Sequence, residues 1–328
     1  MVLLESLRAQ EAYFGGQATG LAVVENGSIQ WAKRPGPVDW EPSSLRGLAG
    51  GVGMAHSRLS QASIEDPRHN KAANAHPFLD EAGQVALMHN GIIFNYKELW
   101  EELAPNHRFS SYNGETGEIT DSEVAVHLVD EALAQGCGLG EAVAAAARRL
   151  EGMFLLVVAS PLEPDAVYIA NWMQACTLGL GDGEAMFSSS PRGLQGLGRQ
   201  LDAFPGPRNS LIRMTAEGFQ VRRLDPCRAA PRVEVDPAGF QEAVSELLGG
   251  GEWMCSLEVL LGLRGELGAR AMGLGLEEWR RAQRQGWGDQ NQIVEPLEEL
   301  ARRGLLKRRT VFREEAGVKV PRIEWSLG

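Results

Sequence analysis

The sequence has few of the features that mark secreted, membrane-spanning or nucleic-acid-binding proteins. Four cysteines are scattered over 328 residues without metal or redox spacing, so we expect reduced thiols. No apolar run approaches the ~18 residues that a membrane span requires. Charge appears within the first eight residues, which is too early for a signal peptide. A formal net charge of −11 argues against general affinity for nucleic acid or anionic membranes. We therefore expect a cytoplasmic protein.

The histidines also fail to form a metal-binding pattern. All six lie between His56 and His127, which invites the idea of a metal site. No pair has the i, i+4 helical spacing or the short spacing that zinc sites use. We expect neither a metal nor another cofactor.

One stretch, with the sequence HNGIIFNYKEL, carries the strongest local signals. Residues 85–88 form an apolar run that predicts a buried strand, and Asn90-Gly91 is a strong turn dipeptide. Asn95 is placed to cap a helix that starts near Tyr96. A strand that ends in this corner would leave an amide side chain and a glycine N–H to hold an oxyanion. The alternative is a strand-to-helix turn without chemistry.

Three further blocks accompany that stretch in a fixed order. They are GMAHSR at 53–58, NAHPF at 74–78 and TDSEV at 120–124. Together the four blocks resemble the motifs of class II glutamine amidotransferases, the N-terminal-nucleophile family that releases ammonia from glutamine. The motif sequences most resemble those of the branch that includes glucosamine-6-phosphate synthase and the phosphoribosylpyrophosphate amidotransferases. The resemblance extends over residues 1–225.

The resemblance implies an α+β fold, the four-layer αββα Ntn-hydrolase sandwich of two antiparallel sheets. Residues 1–225 would form this domain, and the proline-containing stretch 226–237 would be a linker. Residues 238–328 predict helices followed by a β-hairpin, a weakly winged-helix-like or docking module. Basic residues cluster between positions 302 and 313 and could contact phosphates. We favour docking or dimerisation over DNA binding.

The resemblance also assigns a site for free glutamine. Arg58 would bind the α-carboxylate, because a guanidinium pairs with a carboxylate through two hydrogen bonds. Asp121 would accept the α-ammonium group, while Asn90 and Gly91 would stabilise the tetrahedral oxyanion. Two structural alternatives remain open. Arg58 could be a surface ion-pair residue, and Asp121 could only cap the helix that follows.

Other positions in these blocks complete the expected pocket or depart from the family pattern. His89 and Leu59 would line the substrate side. Leu59 occupies a position where the family commonly has a tryptophan. This difference would change the side-chain contacts to the substrate. His76 is expected to be a hydrogen-bonded structural histidine.

The start of the chain is the main departure from the family. A strand that begins with the nucleophilic cysteine precedes the first helix in the family, and here the sequence opens on a predicted helix at 3–13. The family cysteine supplies both the thiolate and a free α-amine as base. The first cysteine here is the internal Cys137.

Two functional hypotheses follow from this departure. If a cysteine precedes residue 1, the domain hydrolyses glutamine to glutamate and ammonia for a partner enzyme. Otherwise it is an inactive amino-acid-binding protein that signals through its C-terminal module to a protein partner or DNA. A scaffold that binds nothing and a homodimer also stay open.

Overall fold

The computed structural model describes residues 2–41, 45–285, 287 and 291–328. Helices run over α1 (Val2–Arg8), α2 (Gln61–Glu65), α3 (Tyr96–Leu103), α4 (Ser122–Ala134), α5 (Leu139–Arg149), α6 (Pro237–Leu247), α7 (Ser256–Gly262), α8 (Gly265–Ala271), α9 (Leu276–Arg284) and α10 (Asn291–Arg302). Strands run over β1 (Ala18–Glu25), β2 (Ser28–Pro35), β3 (Val52–Arg58), β4 (Phe78–Leu79), β5 (Ala86–Ile93), β6 (Gly152–Ala159), β7 (Val167–Trp172), β8 (Thr177–Gly181), β9 (Glu184–Ser188), β10 (Asp202–Pro205), β11 (Ser210–Thr215), β12 (Gly218–Arg223), β13 (Met254–Cys255), β14 (Leu306–Glu315) and β15 (Val318–Leu327).

A six-stranded antiparallel sheet forms the centre of the molecule. Its order is β12-β11-β7-β6-β5-β4, so the most apolar strand, β6, pairs on both edges. Helices α4 and α5 cover one face of this sheet. The alanines of α5 allow close packing against α4, and Val124, Val143, Leu156 and Tyr168 share the resulting core.

Two three-stranded antiparallel sheets, β2-β1-β3 and β10-β8-β9, cover the other face. The layer between the sheets is apolar, and Met54 and Leu178 meet Met88 and Leu155 there. Helix α1 packs outside β1, where Leu4 joins the cluster that contains β1 residues. Helix, sheet, sheet and helix therefore follow one another. This arrangement confirms the predicted α+β core of antiparallel sheets between helices.

The C-terminal helices and strands share a continuous hydrophobic core with α3, α4 and α5. Phe240, Trp279 and Trp325 are fully buried in it. The predicted hairpin is confirmed as β14 and β15, with β13 added at one edge. Helix α8 was not predicted, since its seven residues include two glycines and lack a clear apolar period. Across the described ranges, no helix is long and apolar enough to cross a bilayer.

The predicted corner at Asn90-Gly91 is wrong. Strand β5 continues through both residues to Ile93 and stays paired with β6, where Gly91 lies opposite Phe154. Gly91 has a φ of +132°, and an added Cβ would lie 2.0 Å from the carbonyl oxygen of Met153. The glycine therefore permits a close approach of two strands rather than a turn.

Three other local predictions need correction. The helix predicted over 3–13 ends at Arg8. Asn95 precedes α3 without capping it, because its amide group bonds to the backbone of Arg149 and Glu151. Asp121 likewise makes no side-chain cap to α4.

Candidate functional site

The predicted site residues converge on one cavity of about 690 Å³ between the two sheet layers. Strand β3 contributes its C-terminal end, β5 contributes its second half, and the start of α4 closes one side. These elements are adjacent because β5 and α4 belong to the same sheet–helix layer, on which β3 packs. The residues predicted from sequence that line the cavity are Arg58, Leu59, His89, Asn90, Gly91 and Asp121.

Arg58 supplies a buried cation at the end of β3. Its guanidinium donates a 2.7 Å hydrogen bond to the hydroxyl of Ser63, a fully buried residue on α2. Burial lowers the pKa of Arg58 to about 10, and the carboxylate of Asp121 acts in the opposite direction. Arg58 therefore stays charged at neutral pH, and its buried position contradicts the alternative of a surface ion pair.

Asp121 supplies the anion on the opposite element. One carboxylate oxygen accepts a 2.9 Å hydrogen bond from the backbone N–H of Ile93, and the other accepts a 3.2 Å bond from the Ser122 hydroxyl. The carboxylate is thus tied to the end of β5 and to the side chain of the first residue of α4, without capping the backbone of that helix. A cation and an anion held on separate elements around one cavity match the two charges of a free amino acid.

A cluster of imidazoles forms the wall behind Asp121. The Ser122 hydroxyl oxygen lies 3.0 Å from Nε2 of His76 and 2.9 Å from Nδ1 of His89. The ring of His56 lies 4.1 Å from the ring of His76, measured between centroids. Burial lowers the pKa of all three histidines, that of His56 to about 3. These rings are neutral at neutral pH.

The buried histidines predict a loss of stability in mild acid. The folded-state pKa of His56 is about 3, whereas an unfolded histidine titrates near 6.5, so between these values the unfolded chain binds the proton more readily. We expect the unfolding free energy to fall by up to about 1.4 kcal/mol per pH unit for each such histidine as the pH drops below 6.5. Urea unfolding at pH 7, 6 and 5 measures this slope.

The variant His56→Gln provides the control for that slope. It removes one titrating ring, so the stability of the variant should fall less steeply between pH 6.5 and pH 5 than that of the unmodified protein. Equal slopes for the two proteins would contradict the assignment of a depressed pKa to His56.

Asn90 and Gly91 lie side by side on β5 at the edge of the cavity. Both are partly exposed, unlike the fully buried residues that precede them on the strand. Their position next to the ends of β3 and α4 places an amide side chain and a glycine beside Arg58 and Asp121. The two residues from which donors were expected thus line the cavity from a continuous strand instead of from a turn.

Two strand edges line the cavity. β3 pairs only through its β1 side and β9 only through its β8 side, within the part of the chain that the structure describes. Residues 53–58 of β3 and 185–188 of β9 line the cavity. Leu3 and Leu7 of helix α1 also line this space, as does Gln10 just after the helix ends. The cavity is therefore lined by two sheet edges that are unpaired within the described residues.

Comparison with known proteins agrees with this geometry. A family model described as a glutamine amidotransferase domain matches residues 56–195. The glutamine–fructose-6-phosphate aminotransferase (isomerizing) of Mycolicibacterium smegmatis is 32% identical over 233 residues. The chain carries a class II glutamine amidotransferase domain. The matched range contains all six predicted site residues.

The relatives of this amidotransferase domain are longer proteins. The Mycolicibacterium match covers 67% of this chain and 35% of the relative. A second protein of the same name, from Chlorobaculum tepidum, is 38% identical over 195 residues, which cover 57% of this chain and 30% of that protein. The chain thus spans about a third of the length of the curated relatives that it matches.

A solved structure shares the fold of the domain. The glutamine phosphoribosylpyrophosphate amidotransferase from B. subtilis aligns with a TM-score of 0.57 at 15% identity. The alignment covers 83% of this chain and 61% of that chain. This likeness supports the Ntn-hydrolase-like core.

No cysteine is among the described residues that line the cavity of the amidotransferase domain. Burial raises the pKa of Cys176 to about 12 and that of Cys255 to about 11, so both thiols are protonated at neutral pH. No group of residues suited to a metal ion occurs within the described ranges either.

Sequence reasoning missed one part of the amidotransferase cavity. Residues from the C-terminal helices line the same space as Arg58 and Asp121. Their periodic leucines and tryptophans predict burial but do not indicate which surface they cover, since that contact joins distant parts of the chain. The lining residues from this region include Leu257, Leu260, Leu261, Arg264, Trp279, Gln283 and Trp287.

Proposed function

We propose that the cavity binds free glutamine. Arg58 pairs with the α-carboxylate, Asp121 accepts the α-ammonium group, and Asn90 and Gly91 face the side-chain amide. The observation that carries the proposal is the convergence of a buried guanidinium and a fixed carboxylate on one cavity within the family-matched range. His89 lies on the side of Asp121 away from the ligand and helps to position its carboxylate, and Leu59 gives the cavity an apolar wall.

Hydrolysis of the amide requires a nucleophile that approaches this cavity. We propose that a segment beginning with cysteine, placed ahead of residue 1, pairs with the edges of β3 and β9. Its thiolate attacks the amide carbon, the C–N bond breaks, and ammonia leaves with a proton that the α-amine took from the thiol. Water then cleaves the thioester to glutamate. Asn90 and Gly91 stabilise the oxyanion of each tetrahedral intermediate.

The released ammonia passes to a partner protein in this proposal. The C-terminal side of the cavity is lined mainly by leucine and tryptophan side chains. Such a surface offers few hydrogen-bonding groups for a sugar or phosphate acceptor. The acceptor reaction therefore takes place elsewhere. Residues 238–328, which follow the connection at 226–237, act in this proposal as a module that packs on the amidotransferase domain through a shared core.

A second function is favoured by the contact between the C-terminal helices and the cavity. In this alternative the domain binds an amino acid without turnover, and the C-terminal module transmits occupancy to a protein partner. Transmission to DNA has less support, because the basic cluster is largely neutralised. Arg308 pairs with Glu298, and Arg313 pairs with Glu258 and Glu324. The only support for a winged-helix role is that the hairpin follows the helices in the chain.

Calorimetry with L-glutamine tests the binding function directly. We expect one site per chain, and a thermal unfolding midpoint that rises with glutamine concentration, because a ligand that binds only the folded state stabilises it. Glutaramate, which lacks the α-ammonium group, should bind at least tenfold more weakly, since Asp121 would lose its partner. Glutamine that gives neither heat nor a shift of the midpoint at millimolar concentration would contradict the proposal.

A further inference from the structure

A short segment, residues 12–17, lies between the C-terminal hairpin and the site. We call it the relay turn. On the hairpin side, the backbone N–H of Ile323 donates a 2.8 Å hydrogen bond to the carbonyl of Ala12. The guanidinium of Arg322 donates a 2.7 Å bond to the carbonyl of Gly15. The hairpin therefore holds the relay turn by its backbone, at two points.

On the other side, the relay turn contacts the end of β3 that carries Arg58. The N–H of Gly16 donates a 2.8 Å bond to the Ser57 hydroxyl, and the N–H of Gln17 donates a 3.0 Å bond to the carbonyl of Arg58 itself. The side-chain oxygen of Gln17 accepts a 2.8 Å bond from the N–H of Ser60. A displacement of the relay turn would move the backbone on both sides of Arg58.

Two further contacts make this connection rigid. The amide nitrogen of Asn70 donates 3.0 Å bonds to the carbonyls of both Gln17 and Ala316, which joins the turn to the tip of the hairpin. Gly16 has a φ of +87°, and a Cβ added there would lie 3.3 Å from the side chain of Val320. A side chain at position 16 would therefore crowd Val320 of the hairpin.

Arg322 is the central side chain of this connection. It is 2% exposed, and it bonds through Nε and Nη2 to the carboxylate of Glu315 while Nη1 reaches Gly15. A lysine has one terminal nitrogen and cannot reproduce this planar set of contacts. Arg322 touches neither the cavity nor the expected substrate, so any effect on binding passes through the relay turn.

We propose that the C-terminal hairpin sets the glutamine affinity of the site, with Arg322 as the positioning residue that holds the relay turn and thereby Arg58. This inference rests on the proposed glutamine-binding function. It gives the C-terminal region a regulatory role, since a partner that displaces the hairpin would weaken glutamine binding.

The test compares two arginine-to-lysine variants on the same hairpin. Arg322→Lys should weaken glutamine binding about tenfold in calorimetry, a typical size for coupling between sites. Arg309→Lys is the matched control, because Arg309 pairs with Glu324 within the hairpin and contacts Trp253. The control should bind as the unmodified protein does. Glu315→Gln, a milder change, should weaken binding in the same direction.

Hydrogen exchange provides a second readout that a purely structural role would not change. Coupling is reciprocal, so glutamine should slow exchange of the Ile323 amide in the unmodified protein and do so less in Arg322→Lys. Unchanged affinity in Arg322→Lys, even with a lower unfolding midpoint, would overturn this inference alone. Failure of the unmodified protein to bind glutamine would overturn the proposed function and this inference together.

Discussion

Replacing Arg58 with lysine is expected to weaken glutamine binding by roughly 30-fold or more, which corresponds to about 2 kcal/mol or more. Arg58 is 8% exposed, lines the cavity and already donates to Ser63, which limits the directions that its remaining N–H groups can take. Lysine keeps the charge but loses the planar pair of donors that a carboxylate requires. Calorimetry of Arg58→Lys with L-glutamine measures the change.

The control for this variant is Arg68→Lys, ten positions along the chain. Arg68 is exposed, pairs with Asp66 and lies outside the cavity, so its replacement should leave the dissociation constant unchanged. Asp121→Asn supplies the complementary test at the ammonium end, since an amide oxygen can still accept the Ile93 N–H but carries no charge. Binding by Arg58→Lys within threefold of the unmodified protein would contradict the assigned role.

The sequence allowed the layered core to be predicted wherever local patterns were strong. The nearly continuous apolar run at 152–160 predicts a buried strand, and the structure has β6 there. Asn26-Gly27 predicts a hairpin turn, and the two residues lie between β1 and β2 with φ values of 50° and 74°. Both signals are local, because a continuous apolar run and a two-residue turn need no information from elsewhere in the chain.

The errors arose where distant residues decide the local structure. Asn90-Gly91 is a turn dipeptide by itself, but pairing with β6 keeps it in a strand. Asp121 could cap α4, but its carboxylate accepts a hydrogen bond from the N–H of Ile93 instead of from the backbone of the helix. In both cases a long-range contact overrides a local preference, and the local signal alone does not reveal it.

The residues of the proposed site were predicted one by one, and the structure places them on one cavity, but the surroundings of that cavity were not predicted. The motif blocks placed Arg58, Asp121, Asn90 and Gly91 together, and all four line one cavity. The wall contributed by the C-terminal helices and the link through residues 12–17 came only from the structure. Backbone carbonyls, such as that of Gly15, carry much of this link, and any residue type supplies a carbonyl.

Adding a cysteine-led segment ahead of residue 2 is expected to confer glutaminase activity. The cavity edge of β3 spans residues 52–58, roughly 20 Å at about 3.4 Å per residue. Helix α1 starts beside the N-terminal end of β3, away from Arg58, since a Cβ added to Gly53 would lie 3.5 Å from the side chain of Leu3. A seven-residue strand that enters α1 would therefore run antiparallel to β3. Its first residue would lie beside Arg58.

This placement brings a chain terminus to the cavity in which glutamine is proposed to bind. A cysteine at that position has a thiol to attack the carbonyl carbon and an α-amine to take the proton. We expect the extended protein, with its initiator methionine removed, to release glutamate and ammonia in equal amounts. A coupled glutamate dehydrogenase assay measures the ammonia, and mass spectrometry verifies the terminal cysteine.

Three matched variants of the extended protein separate the parts of this mechanism. Replacing the terminal cysteine with alanine should abolish turnover, and one glycine placed before the cysteine should do the same by removing the free α-amine at that position. Asn90→Ala should reduce kcat by about 10²–10³-fold, the typical loss of one oxyanion donor. A folded extended protein with a verified terminal cysteine that releases no ammonia above the alanine control would refute the groove between β3 and β9 as the position of the nucleophile.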